Sequence, residues 1–168
     1  MKNIYSSVVA LVVFVVFASL AIADPGTTWE IQIPGPARFQ VLSQFGGAAV
    51  FDRETGRVWE QSPDTNTPNW FAALGHCYNR DVGGRKGWRL PTIEELASLV
   101  DTTQGANPAL PAGHPFLNVQ SSVYWSASAN IFELLAWVVD FSLGNVGVVD
   151  KSGSFFVWCV RGGQGGNQ

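Results

Sequence analysis

The segment WRLPTIEEL, residues 88–96, gives the strongest helix-start signal in the chain. Thr92 and Glu95 stand three residues apart, the spacing at which each side chain accepts a hydrogen bond from the other residue's backbone, and Pro91 fits just before the helix. The apolar residues that follow recur at helical spacing: Ile93, Leu96, Leu99 and Val100. We therefore predict a helix that begins after Thr92 and packs one side against a core.

A second helix is predicted upstream of this segment, after a polar loop over residues 62–68. Spacings of three and four residues place five side chains on one helical face, with Cys77 pointing inward. These are Trp70, Phe71, Leu74, Cys77 and Tyr78. A basic, glycine-rich turn then leads to residue 88.

Strand patterns lie on both sides of the two helices. The predicted strands are residues 39–42, 48–51 and 57–60 before them, and 123–126, 135–141, 146–149 and 155–160 after them. Residues 52–56 form the turn of an N-terminal hairpin, and the later strands form an antiparallel meander. Residues 102–121 show no periodicity and predict a long irregular loop, fixed to the body by Phe116 and Leu117. The pattern indicates an α+β fold with two helices and mainly antiparallel sheets.

The N-terminus has the layout of a secretory signal. Lys2 precedes an apolar run from residue 8 to residue 23 that only Ser19 interrupts, and small residues stand before Asp24. The run is shorter than the roughly 20 apolar residues that span a membrane. We predict a signal peptide over residues 1–23, cleaved after Ala23, with an uncleaved anchor as the alternative. Residues 24–37 are then a linker or edge strand, 38–163 the domain, and 164–168 a flexible tail.

Export would place Cys77 and Cys159 in an oxidising compartment, where a structural disulfide is the expected state. The two positions are 82 residues apart, so the bond would close a long loop. A reactive thiol pair is the alternative, but the chain has no Cys-x-x-Cys spacing to activate a thiolate.

Composition excludes several classes of function. The 168 residues fit one domain, and the net charge of -3 argues against sequence-independent nucleic-acid binding. The imidazoles and thiols are His76, His114 and the two cysteines, too few and too scattered for a metal site. The nearest approach to a serine nucleophile motif, residues 140–144, reads as a turn between strands. We therefore assign no catalytic residue, metal or cofactor, and expect that the protein is not an enzyme.

Two sets of residues are candidates for ligand binding. The cations Arg80, Arg85, Lys86 and Arg89 lie within ten positions and could bind sulfate or carboxylate groups. The alternative is a solvated turn in which Arg89 forms a structural ion pair. The second set could stack on sugar rings or, alternatively, pack in the core: Trp125, Trp137, Phe155, Phe156 and Trp158.

Several motifs, in order, give the chain a family resemblance. They are GGAAVFDRETGRVWE (residues 46–60), GWRLPT (87–92), YWSAS (124–128), AWVVDF (136–141) and WCVRGG (158–163). Over about residues 38–163 the chain resembles the Lcl C-terminal domain family of bacterial exported proteins. The resemblance implies a C-type-lectin-like fold, distantly related to the formylglycine-generating enzymes, and a disulfide between Cys77 and Cys159. It also implies binding of glycans such as sulfated glycosaminoglycans.

The chain departs from the related groups in ways that limit what carries over. It lacks the Gly-X-Y repeat of a trimerising collagen stalk, the Glu-Pro-Asn and Trp-Asn-Asp signatures of calcium-dependent lectins, and the active cysteine pair or three histidines of the catalytic branches. We therefore predict a secreted or periplasmic, non-catalytic binding domain that recognises glycans, with sulfated polysaccharides as candidates. The alternative is a structural or protein-interaction domain of the cell envelope. Its partner is then a glycan or an envelope protein, with no nucleic acid, and a membrane only through the signal segment.

Overall fold

The computed structural model describes residues 33–103, 105–131 and 134–162. The predicted signal segment 1–23, residues 24–32 of the predicted linker and the predicted tail 164–168 lie outside the described residues. The described end of the linker segment is a short helix, α1 (Gly35–Arg38), with Gly35 and Arg38 buried. The folded body therefore begins before residue 38.

The first sheet has five strands and carries the predicted N-terminal hairpin. Its strands are β1 (Phe39–Val41), β2 (Ala49–Asp52), β3 (Arg57–Glu60), β4 (Trp88–Arg89) and β8 (Val160–Arg161), in the order β1-β2-β3-β8-β4 with every pair antiparallel. A 3₁₀ turn, Ser43–Phe45, joins β1 to β2. The turn between β2 and β3 contains Gly56 with φ of 69°, a backbone conformation that glycine adopts without steric cost.

The second sheet is antiparallel and contains three of the predicted meander strands, but not residues 155–160. It consists of β5 (Val123–Ala129), β6 (Leu135–Asp140) and β7 (Asn145–Asp150), in that order. One side of this sheet packs on the core through Trp125, Ala136 and Val138.

The predicted strand over residues 155–160 is wrong in its extent and in its pairing, because it does not continue the meander after β7. Phe156 lies beside β5, donating to the Val123 carbonyl at 3.0 Å and accepting from the Trp125 N–H at 2.9 Å. The chain then crosses to the first sheet, where Val160 enters between β3 and β4. All of residues 157–160 are buried, so this segment has no alternating pattern from which its pairing could be predicted.

The first predicted helix is α2 (Trp70–Asn79), capped by the Asn69 side chain, which accepts from the Ala72 N–H at 3.0 Å. Its inner stripe consists of Trp70, Ala73 and Cys77. The prediction that Phe71 and Tyr78 share this face is wrong, since they are 66% and 80% exposed. Each is one position, about 100° of rotation, from a buried neighbour, and the inner stripe is too narrow to include it.

The second predicted helix is α3 (Ile93–Ala97), and its predicted start is confirmed. The Thr92 and Glu95 side chains form a reciprocal capping box. The helix ends at Ala97, earlier than the apolar spacing suggests, and Leu99 is buried in the turn that follows.

A disulfide joins α2 to the residue that precedes β8, as predicted. Cys77 and Cys159 are fully buried, and their Cα atoms are 5.4 Å apart. The long loop is fixed to the body through buried Phe116, whereas the Leu117 side chain is exposed. The Leu117 N–H donates to the Gln61 carbonyl oxygen at 2.8 Å. None of the helices within the described ranges is long and apolar enough to span a membrane.

Candidate ligand-binding surface

The structure divides the four predicted cations of the basic turn into two groups. Arg80 and Arg89 form ion pairs with buried or half-buried carboxylates, whereas Arg85 and Lys86 are exposed. A cation that already binds a carboxylate is a weaker ligand for a second anion. Arg85 and Lys86 are therefore better candidates for binding an anionic ligand than Arg80 and Arg89.

Arg80 belongs to the packing of the disulfide region. Its Nε atom donates to one carboxylate oxygen of Glu60, and the other oxygen accepts from the Cys159 N–H at 3.0 Å. The Glu60 side chain is buried. Arg80 therefore neutralises a buried charge beside the last strand, which is a structural role.

Arg89 shares one carboxylate with a second arginine, as the ion-pair alternative predicted. Two guanidinium nitrogens of Arg89 contact the oxygens of Glu95 at 2.7 Å, and Arg57 Nε contacts Glu95 at 2.6 Å. Burial alone raises the pKa of Glu95, but hydrogen bonds from Arg89, the Thr92 backbone and Arg57 outweigh it and lower the pKa to about 2. No signal in the sequence identified Arg57 as the second partner.

The low pKa of Glu95 predicts acid sensitivity. A carboxylate whose pKa is lower in the folded state stabilises the fold above its unfolded pKa of about 4.5, and this contribution is lost as the pH falls toward about 2. At about 1.4 kcal/mol per pH unit, the contribution is on the order of 3 kcal/mol. We expect Glu95→Gln to be less stable than wild type at pH 7 and nearly equal at pH 2 in urea denaturation.

The neighbouring Glu94 provides the matched control for this experiment. It is exposed and forms no ion pair with any described residue. Glu94→Gln should therefore follow the wild-type pH profile. An equal loss of stability in Glu95→Gln at pH 7 and at pH 2 would show that the effect of the substitution does not depend on the ionised carboxylate.

Two cations lie over the ring of Phe45, and a third is next to one of them in sequence. The guanidinium carbon of Arg85 lies 4.9 Å from the ring centroid, and that of Arg161 lies 5.9 Å from it. Lys86 follows Arg85 in the same turn. Within the described part of the chain, none of the three is within ion-pair distance of a carboxylate. The three form a positive patch whose charges are not neutralised by the fold.

The turn that carries Arg85 and Lys86 is fixed by close contact with the first sheet. Gly83 has φ of 60°, and a Cβ atom there would lie 2.4 Å from the Phe45 carbonyl oxygen. Residues with a side chain are excluded at this point, so the turn lies directly against the backbone of Phe45.

A cavity of about 470 Å³ opens beside this patch. Its walls are Tyr78, Asn79, Lys86, Gly87 and Trp88. Tyr78 is the exposed aromatic residue of this site, and Asn79 donates to the Gly75 carbonyl at 2.9 Å while its side-chain oxygen has no described partner. The sequence predicted Tyr78 to be a core residue and so did not identify it as part of the site.

A larger cavity, of about 620 Å³, lies at the start of α3. Arg57 and Arg89 are among its lining residues, but Glu95 neutralises part of their charge, and Glu94 adds a second carboxylate. Two cations and two carboxylates leave no net charge there. The smaller cavity is therefore the better candidate for an anionic ligand.

Most of the predicted aromatic set packs in the core. Trp125 and Trp158 are fully buried, and Phe155 and Phe156 are partly buried against core rings. Trp137 on β6 is also partly exposed, in contrast to the other tryptophans of the described ranges, which are buried. The core-packing alternative thus describes four of the five residues.

The two histidines are separate. His76 Nε2 is 3.9 Å from a carboxylate oxygen of Asp64. His114 Nδ1 accepts from the Phe116 N–H at 3.2 Å, and burial lowers the pKa of His114. Nowhere in the described ranges do three or more His, Cys, Asp or Glu residues gather as a metal site.

Comparison with known proteins gives one result. The family model described as Lcl C-terminal domain matches residues 48–161. The matched region begins just before β2, ends with β8, and contains both cysteines and the basic turn. No curated protein matches the chain significantly.

Proposed function

Since the chain belongs to the Lcl C-terminal domain family, we propose that it is an exported, non-catalytic domain that binds sulfated glycans. The observation that carries this proposal is the joint presence of an unpaired cation and an exposed aromatic ring at one cavity. Lys86 and Tyr78 both line it, with Arg85 adjacent to Lys86 in the turn.

The chemistry of this surface fits a sulfated sugar. Guanidinium and ammonium groups form charge-assisted hydrogen bonds to sulfate oxygens, and the arginine fork can bind two oxygens at once. An exposed tyrosine offers an apolar face to the C–H groups of a sugar ring and a hydroxyl to its polar groups. We propose that Arg85 and Lys86 bind sulfates while the Tyr78 ring contacts the sugar.

The disulfide supports the proposal that the protein is secreted or periplasmic, because such bonds persist in oxidising compartments. We also propose that the α+β fold is C-type-lectin-like, as the family resemblance implies. Catalysis is not part of this proposal, since the sequence lacks the cysteine pair and the three histidines of the catalytic relatives.

The proposed function is tested by binding of the purified, oxidised protein to a glycan array that includes sulfated polysaccharides. Binding should be selective for sulfated sugars and independent of calcium. It should weaken several-fold between 50 and 200 mM salt, because salt cations compete with the protein for the sulfate groups. No binding to any sulfated glycan at millimolar concentration would contradict the proposal and favour a protein-interaction domain of the cell envelope.

A further inference from the structure

The edge strand β7 of the meander is open. β5, on the opposite edge, is covered by Phe156, whose N–H and C=O groups both hydrogen-bond to it. β7 pairs with β6 on one side, and no described strand lies on its other side. It is six residues long, whereas the edge strands of the other sheet, β1 and β4, have three and two residues.

The register shows which backbone groups of β7 are available. The Lys151 N–H donates to the Leu134 carbonyl at 2.8 Å, so this pair is hydrogen-bonded. Hydrogen-bonded pairs recur at every second position of an antiparallel ladder, so residues 149, 147 and 145 direct their N–H and C=O groups to β6. Val146 and Val148 therefore direct theirs outward, and neither group bonds to another described strand.

The side chains along this edge are apolar. Val146 is 46% exposed and Val148 is 36% exposed. Val148 is the cross-strand partner of the partly exposed Trp137. β7 also lacks the lysine, proline or bulge with which edge strands are usually protected from pairing.

The charge of the meander is of one sign. Residues 123–150 contain no lysine or arginine and carry three carboxylates, those of Glu133, Asp140 and Asp150. Lys151, which follows β7, is buried with its Nζ atom 4.4 Å from the centroid of the Trp70 ring. Asp150 is at the end of β7, and Asp140 pairs with Asn145 at its start. A strand added at this edge would meet Val146 and Val148, with Asp150 at the end, on one face of the sheet, and the face that carries Asp140 on the other. This arrangement favours a segment that alternates apolar and basic residues.

We propose that β7 is a docking edge for an extended, basic and apolar peptide segment of a partner protein, which adds to the meander as a fourth strand. The backbone of Val146 and Val148 supplies the pairing hydrogen bonds, the valines and Trp137 supply apolar contact, and Asp140 and Asp150 select for basic residues. This inference does not depend on glycan binding.

The experiment measures binding of a labelled nine-residue peptide, in which valine alternates with lysine or threonine, to the oxidised protein by fluorescence anisotropy. Two matched peptides accompany it, one with glutamate in place of lysine and one N-methylated along a single edge. We expect the basic peptide to bind, and each matched peptide to bind at least tenfold more weakly. Equal binding of the N-methylated peptide would overturn the proposal, since charge alone would then explain the attraction.

Two variants of β7 complete the experiment. Val148→Pro removes an outward N–H without removing a bond to β6, and Val148→Lys adds a repelling charge; both should weaken binding at least tenfold with far-UV circular dichroism unchanged. Lys86→Ala, in the proposed glycan site, should bind the peptide as wild type does. Unchanged binding by both Val148 variants, or no binding by the wild type, would overturn the proposal. Self-association that Val148→Lys abolishes would also overturn it, because a second copy would then be the occupant.

Discussion

Replacing Cys77 and Cys159 together with alanine should lower the free energy of unfolding by about 4 kcal/mol. The bond joins residues 82 apart in sequence, and a cross-link across a long loop removes much of the conformational entropy of the unfolded chain. Both cysteines are fully buried, Cys77 in α2 and Cys159 directly before β8. The folded state of the variant therefore keeps its packing apart from two lost sulfur atoms.

Urea denaturation of the oxidised protein and of the double variant measures this difference directly. Addition of a reductant to the wild-type protein should lower its urea midpoint toward that of the double variant. The double variant with one additional change, Arg53→Ala, serves as a control. The side chain of the exposed Arg53 hydrogen-bonds, among the described residues, only to Gln40, so its removal should add less than about 0.5 kcal/mol. Equal midpoints for wild type and double variant would show that the disulfide does not stabilise the fold.

The second large effect is expected at Asp52, where Asp52→Ala should cost about 3 to 5 kcal/mol. Its carboxylate accepts two hydrogen bonds from Arg38, at 2.8 and 2.7 Å, and the two side chains are 0% and 3% exposed. Burial raises the pKa of Asp52, but bonds from Arg38 and Thr55 outweigh it, and the pKa is lowered. Without Asp52, the buried guanidinium keeps the half-exposed Glu54, at 2.8 Å, the Ser98 carbonyl and the ring of Phe39.

Thermal and urea denaturation at pH 7 should show the loss for Asp52→Ala and almost none for Asp81→Ala. Asp81 is exposed and forms no ion pair within the described ranges, so it provides a matched removal of one carboxylate. If the two variants were equally stable, the ion pair between Arg38 and Asp52 would contribute no more to stability than an exposed carboxylate does, in spite of its burial.

Local chemistry explains which parts of the fold the sequence could predict. The start of α3 depends on residues three positions apart, so Thr92 and Glu95 alone reveal it. The hairpin of β2 and β3 is likewise encoded by a short turn around Gly56. Such features need no information from distant parts of the chain.

The errors in strand pairing and in the exposure of α2 concern contacts between distant segments. Val160 pairs with Trp59 of β3, 101 positions away, and with Arg89 of β4, 71 positions away, and no local pattern specifies these pairings. The exposure of Tyr78 depends on which segments cover α2. The spacing of apolar residues alone does not distinguish a position beside the buried face of a helix from one on that face.

The sequence showed the cations of the candidate site, and the structure shows which of them form ion pairs. Four cations within ten residues were evident in the sequence, but the partners of Arg80 and Arg89, Glu60 and Glu95, lie 20 and 6 positions away. Arg161 joins the cluster from β8, more than seventy positions along the chain, and its contact with Phe45 could not be read from the sequence.

Glycan binding is tested most directly by titrating one sulfated polysaccharide, heparin, into wild type and matched variants by isothermal calorimetry. We expect Arg85→Ala with Lys86→Ala to weaken binding at least tenfold, Tyr78→Ala to weaken it several-fold at high salt as well as low, and Arg53→Ala to leave it unchanged. Equal losses for Arg53→Ala and the double variant would show attraction to overall charge only. Wild-type affinity in the double variant would contradict the assignment of the site to this turn.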